Sequence, residues 1–207
     1  MHKTPSESPL KAPPPHSRTG SSHNSFPIRC LRLVRLFVHL LRGLGIAWQY
    51  PRWNQAQQAR AIRRWSRQLL LILGVRVRVA VAPTAFPARC MLVSNHISWL
   101  DIFVLASRYP AIFVAKSEIR AWPLVGWLCS RVGTLFIERG RRSSARRTND
   151  IITSAISQGQ LVSVFPEGMT TDGLRVGHFH AALLQPAIDA GAALQPVALC
   201  YQDANGT

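Results

Sequence analysis

The segment Asn95-His96-Ile97-Ser98-Trp99-Leu100-Asp101 sets a histidine and a carboxylate five residues apart, directly after the apolar run Cys90 to Ser94. A neutral imidazole whose tautomer is fixed by a nearby carboxylate is suited to taking a proton from a hydroxyl. Ser98-Trp99-Leu100-Asp101 also fits a helix-start pattern, with Ser98 capping the first turn. Asp101 can therefore orient His96, or simply complete a capping box beside a loop histidine. A second segment, Val164-Phe165-Pro166-Glu167-Gly168, ends another short apolar run. Strand ends are where α/β folds place sites, and a glycine lets a ligand approach the backbone closely. Taken alone, it reads better as an ordinary Pro/Gly turn with a solvated glutamate.

The elements that must position these residues follow from the periodicity. Val75 to Val81 alternates with period two and predicts a half-exposed strand. Further strands are expected at Cys90 to Ser94, Ala111 to Ala115, Thr134 to Ile137, Leu161 to Phe165 and Pro196 to Leu199, with helices over about 98–107, 122–131, 142–158 and 178–190. This alternation predicts an α/β fold with a central mixed, largely parallel sheet flanked by helices.

Upstream, Ile28 to Tyr50 is strongly apolar, yet Arg32, Arg35, His39 and Arg42 fall on one helical arc. Over residues 56–70, Arg60, Arg63, Arg64 and Arg67 share a face opposite Ile62, Trp65 and Leu69. Two basic amphipathic helices suit a membrane interface. A core helix with solvated arginines and a tilted span with snorkelling arginines are the other readings of the first. Residues 1–27, rich in Pro, Ser and His without an apolar stretch, are expected to form a disordered tail with no secretory signal. The organisation is thus a tail over 1–27, membrane-associating helices over 28–72 and a catalytic domain over 73–207.

Of the 207 residues 47% are hydrophobic, the formal net charge is +16 and the pI is about 11.5. The charge calls for an anionic partner, membrane or nucleic acid. No zinc-finger, RNP-like or helix-turn-helix pattern accompanies it, so a membrane surface is expected and nucleic acid is not. Cys30, Cys90, Cys129 and Cys200 form no CxxC pair, which argues against zinc and disulfides and reads as four small buried side chains.

The His96 and Glu167 segments, 71 residues apart, enclose Gly133-Thr134-Leu135-Phe136-Ile137-Glu138-Arg139 and are followed by Pro196-Val197-Ala198-Leu199. In order and spacing these four blocks resemble the glycerolipid acyltransferase family, whose members esterify lysophosphatidic acid and related lysolipids. The resemblance covers about residues 65–201. It implies that His96 is the general base and Asp101 its orienting partner. Arg139 would contribute to an anion site, with Glu167 and Gly168 shaping the acceptor pocket. Lys116 is a further headgroup cation or a solvated strand-end lysine; Asn95, Ser98, Pro166 and Pro196 play supporting parts. The implied reaction transfers an acyl group from acyl-CoA or acyl-carrier protein, as co-substrate, to a lysolipid hydroxyl, with no cofactor and no metal. The place implied is the cytoplasmic face of a bacterial inner membrane, with peripheral or monotopic attachment.

One departure bears on the acceptor. The family commonly continues Phe-Pro-Glu-Gly with Thr-Arg-Ser, whereas here Met169-Thr170-Thr171 follows. Threonine cannot reproduce the bidentate fork by which arginine holds phosphate. Lysophosphatidic acid is the family default, and lyso-ornithine lipid competes with it. Arg141, Arg142, Arg146 and Arg147 suit membrane phosphates, an acidic carrier protein or a solvated helix face; Trp122 and Trp127 suit packing better than an acyl-chain ruler. Two rivals stand beside the enzyme: an inactive lipid-binding relative and a basic nucleic-acid-binding module. Similar chains run beyond the fourth block, which leaves room for a domain trimmed at Thr207.

Overall fold

The computed structural model describes residues 26–80, 86–138 and 142–202. Helices α1 (Phe26–Gln49) and α2 (Gln55–Leu73) come first, followed by β1 (Cys90–Ser94), α3 (Asp101–Ala106), β2 (Ile112–Lys116), α4 (Val125–Arg131), β3 (Leu135–Ile137), α5 (Arg142–Ser157), β4 (Val162–Val164), α6 (Gln185–Asp189) and β5 (Ala193–Val197). The five strands lie in the order β3-β2-β4-β1-β5.

Every neighbouring pair runs parallel, so the sheet is parallel throughout rather than mixed. β1 pairs with β4 on one side and β5 on the other, and all five of its residues are buried. Such a strand needs a continuous apolar sequence, which Cys-Met-Leu-Val supplies. Ile152, Ala155 and Ile156 of α5, and Ala187 beside them, pack on Met91, Val93, Val162 and Val164. Pro196 sits in β5, an edge strand, where a missing N–H costs no ladder bond.

Several sequence expectations require correction. Val75 to Val79 keeps its alternating exposure, but no strand forms over the described part of the segment, and Val81 lies outside the described residues. Alternation reports one-sided burial; it does not supply a ladder partner. The last strand begins three residues earlier than Pro196, and the expected helix over 178–190 is divided into a 3-10 turn, Ala181–Leu183, and the short α6, in whose first turn Pro186 sits. Trp122 and Trp127 are 58% and 39% exposed and are not core residues. All four cysteines are free, and only Cys90 is buried.

α2 starts at a capping box between Asn54 and Gln57 and ends at Gly74, whose left-handed φ of 79° directs its N–H to Leu70. Leu69, Leu70 and Ser66 face inward, with the four arginines outward. α1 crosses α2 closely: a Cβ on Gly43 would lie 2.8 Å from the Trp65 indole nitrogen. The arc expected of α1 is altered at His39, which is 4% exposed and stacked on Trp65 with centroids 4.6 Å apart. The outer face of α1 leaves Leu31, Leu33, Val34, Phe37, Leu40 and Leu41 exposed. No described helix is long and apolar enough to cross a membrane. Of the tail expected over 1–27, residues 1–25 lie outside the described residues, and Phe26 and Pro27 belong to α1.

Candidate active site at the carboxyl edge of the sheet

Because all strands run the same way, their carboxyl ends share one edge, and the segments after β1, β4 and β5 converge there. His96 leaves β1 two residues after its end. Its Nδ1 lies 2.8 Å from Oδ2 of Asp101, which is fully buried while the imidazole keeps 18% of its surface. The same Oδ2 accepts the backbone N–H groups of Ile97 at 2.7 Å and Ser98 at 2.9 Å, and Oδ1 accepts the Tyr201 hydroxyl at 2.7 Å.

Burial by itself pushes the Asp101 carboxyl up. The hydrogen bonds from His96, Tyr201, Ser98 and Ile97 outweigh it, and the net shift is downward. Asp101 is thus held ionised and acceptor-only, which fixes the imidazole proton on Nδ1 and leaves Nε2 as the free base. The two sequence readings of Asp101 are compatible, since one carboxylate oxygen both orients His96 and closes the helix start. Ser98, however, is not the N-cap: α3 begins at Asp101, and Ser98 Oγ only accepts the Leu100 N–H at 3.3 Å.

The segment after β4 grips His96 by its backbone. Glu167, 5% exposed, accepts the His96 N–H on Oε1 at 2.9 Å and the Gly177 N–H on Oε2 at 3.0 Å. Thr171 donates its N–H to the His96 carbonyl at 2.9 Å, with its hydroxyl 3.2 Å from the same oxygen. Gly168 makes the intervening turn with a left-handed φ of 74° and donates to Phe165. Phe165 stacks on the His96 ring, centroids 4.1 Å apart. Pro166 is buried, and its carbonyl accepts the His180 N–H. The outer part of the loop is open, with Met169 70% exposed and Thr170 exposed beside it.

Asn95 ties this loop to the chain after β5. Its side-chain amide donates to the Leu199 carbonyl at 3.0 Å and accepts the Leu199 N–H at 2.7 Å. That clamp sets Tyr201, two residues on, against Asp101. Tyr201 was not singled out in the sequence; its only signal is a lone aromatic phenol just past the fourth block. Burial, the hydrogen bond to Asp101 and the carboxylate's charge all raise the phenol pKa, so it stays a donor. From the other side, Trp65 of α2 meets Phe103 of α3 (5.7 Å), which meets Trp99 (5.8 Å). This row of rings braces the His96 loop on the helix pair.

His96, Asp101, Asn95, Ser98, Glu167 and Gly168 are therefore brought together. Lys116 stands exposed at the carboxyl end of β2, with β4 between that strand and β1. Arg139 lies outside the described residues, as do Arg141 and the side chain of Arg142; Arg146 and Arg147 are exposed on α5. No three His, Cys, Asp or Glu side chains among the described residues cluster as metal ligands.

Comparison with known proteins gives this geometry a context. A family model described as Acyltransferase matches residues 77–200. The chain is 38% identical over 191 residues to 1-acyl-sn-glycerol-3-phosphate acyltransferase of Neisseria meningitidis, covering 90% of this chain and 73% of that one. It is 38% identical over 179 residues to lyso-ornithine lipid O-acyltransferase of Pseudomonas aeruginosa, covering 83% and 68%. The fold is similar to the crystal structure of the 1-acyl-sn-glycerophosphate acyltransferase of Thermotoga maritima, with a TM-score of 0.55, 23% identity and coverage of 79% and 73%. With a parallel α/β sheet, a His96–Asp101 pair at its carboxyl edge and these matches, the chain belongs to the acyltransferase family.

Proposed function

We propose that this acyltransferase moves a fatty acyl group from acyl-carrier protein or coenzyme A to the free hydroxyl of a lysolipid at a membrane surface. The observation that carries the reading is the 2.8 Å contact between His96 Nδ1 and a fully buried Asp101. With Nδ1 committed as donor, Nε2 accepts the lysolipid hydroxyl proton as its oxygen attacks the thioester carbonyl. The tetrahedral intermediate collapses with cleavage of the C–S bond, and the imidazolium returns the proton to the departing thiolate. The thioester is already activated and the sequence has no Gly-x-Ser-x-Gly elbow, so direct transfer is favoured over an acyl-enzyme. Buried Asp101 stabilises the imidazolium formed on the way.

Glu167 and Thr171 act here by holding the His96 backbone at the angle this attack needs. Lys116 and Arg139 are assigned to the acceptor headgroup. The exposed apolar face of α1, with arginines beside it, supports peripheral attachment to an anionic membrane, on the cytoplasmic side where both thioester donors occur.

The acceptor carries two readings. Lysophosphatidic acid, giving phosphatidic acid, is the family default. Lyso-ornithine lipid is favoured by Met169-Thr170-Thr171, which puts an exposed methionine and threonine where the family pattern has a hydroxyl and a phosphate-binding arginine. The deciding experiment supplies labelled acyl-carrier protein to the protein with each acceptor in turn, and repeats it with His96→Ala. Transfer to one acceptor only assigns it. Equal rates with and without the imidazole would sink the mechanism.

A further inference from the structure

Neither α1 nor α2 contains an Asp or Glu, and no acidic residue occurs between Glu7 and Asp101. The arginines of this helix pair form no ion pair among the described residues, so their counter-ions come from elsewhere. Two of them do not simply face outward. A groove of about 330 Å³ runs between α1 and α2 and is bordered on one side by Arg35, His39 and Arg42. These recur at i, i+4 and i+7 and so share one helix face. Gln68 faces them from α2, and Val38 and Leu71 make part of the groove apolar.

Arg35 and Arg42 are exposed, whereas His39 between them is buried against Trp65. Burial is the largest influence on that imidazole and lowers its pKa, the charge of Arg42 acting in the same sense. At neutral pH the groove therefore presents two guanidinium groups over an uncharged floor. Neither arginine nor Gln68 has a side-chain hydrogen-bond partner among the described residues, so donors with nothing to bind line a recess that is otherwise apolar. The recess adjoins the face of α1 that exposes Leu31, Phe37 and Leu41.

We infer that this groove binds one anionic phospholipid of the membrane, with Arg35 and Arg42 on its phosphate, Gln68 beside them and an acyl chain along Val38 and Leu71. Charge complementarity requires the anion, and an apolar lining continuous with the exposed helix face requires that the anion carry a hydrocarbon chain. A guanidinium fork matches phosphate geometry, so the contact is directional and differs from a diffuse attraction to a charged surface. The inference rests on the membrane-surface reading above.

Sedimentation of the full chain with phosphatidylcholine vesicles, with and without phosphatidylglycerol, tests it. Arg35→Gln/Arg42→Gln is compared with Arg63→Gln/Arg67→Gln, which removes the same charge from exposed positions on another face of α2. Circular dichroism checks that both fold. Salt screens diffuse attraction far more than a seated, hydrogen-bonded phosphate. In salt that flattens the Arg63/Arg67 defect, the groove variant is expected to bind phosphatidylglycerol vesicles roughly tenfold or more weakly than wild type. Val38→Trp, which fills the recess without changing charge, is expected to lose the preference for phosphatidylglycerol. If the two double variants weaken alike at every salt and V38W keeps its preference, the groove is not a site, while the membrane reading stands. If wild type itself shows no preference for phosphatidylglycerol vesicles, both fall.

Discussion

Replacing Glu167 by glutamine preserves the shape of the side chain and removes one acceptor, which makes it a direct test of the grip on His96. Glu167 receives two backbone N–H groups, from His96 at 2.9 Å and Gly177 at 3.0 Å, one on each oxygen. Glutamine offers one oxygen and one NH₂, so whichever way it turns, a donor meets a donor at a position only 5% exposed. One charge-assisted bond is lost, about 1.5–3 kcal/mol, and a buried donor goes unpaired, a further 1–3 kcal/mol or so. Relaxation of the loop recovers part of this, leaving an expected loss of about 2–4 kcal/mol. For a chain of this size that lowers Tm by roughly 5–15 °C. The rate falls too, because the imidazole shifts with its backbone, and it falls mainly in kcat. Thermal unfolding followed by circular dichroism, together with steady-state acyl transfer, reads both quantities. An unchanged Tm with a raised KM would refute the reasoning, because it would place Glu167 on the acceptor instead of on the histidine loop.

Asp101→Asn is expected to be milder than loss of the histidine. The Ile97 and Ser98 N–H groups demand an oxygen at the Oδ2 position, so the amide keeps the His96 tautomer, while the negative charge and the bond accepted from the Tyr201 hydroxyl are lost. Removing a stabilising attraction of roughly 3–4 kcal/mol on the imidazolium lowers kcat about 10²–10³-fold, measured with acyl-carrier protein as donor. Tyr201→Phe removes one of the bonds that pull the Asp101 pKa below its ordinary value. A depressed carboxyl stabilises the fold above its unfolded pKa, and that contribution disappears as pH falls through the folded pKa. The Phe variant should therefore begin to lose stability at a higher pH than wild type on acid titration. Coincident acid-unfolding curves would show that Tyr201 does not hold Asp101.

Much of the site was legible because its core is local. His96 and Asp101 meet across a single turn, and five residues of spacing keep the two within reach of each other. The strands Cys90–Ser94 and Val162–Val164 were likewise readable, since a strand buried on both faces is predominantly apolar and these carry only a single small serine each. Periodicity misled at Val75 to Val79, where alternating burial occurs without a partner strand, and the capping pattern misled at Ser98, where the carboxylate of Asp101 takes the helix-start role.

What only the tertiary structure decided is what holds that pair in place. Glu167 reaches the His96 backbone from 71 residues away, Tyr201 reaches Asp101 from 100, and Asn95 clasps Leu199 from 104. These meetings follow from the order β3-β2-β4-β1-β5, which seats the ends of β4 and β5 on either side of β1. The linear chain carries the apolar runs that make strands, but not which strand lies beside which. That is set by how the whole sheet is covered by its helices, and so is the groove that α1 and α2 form between them.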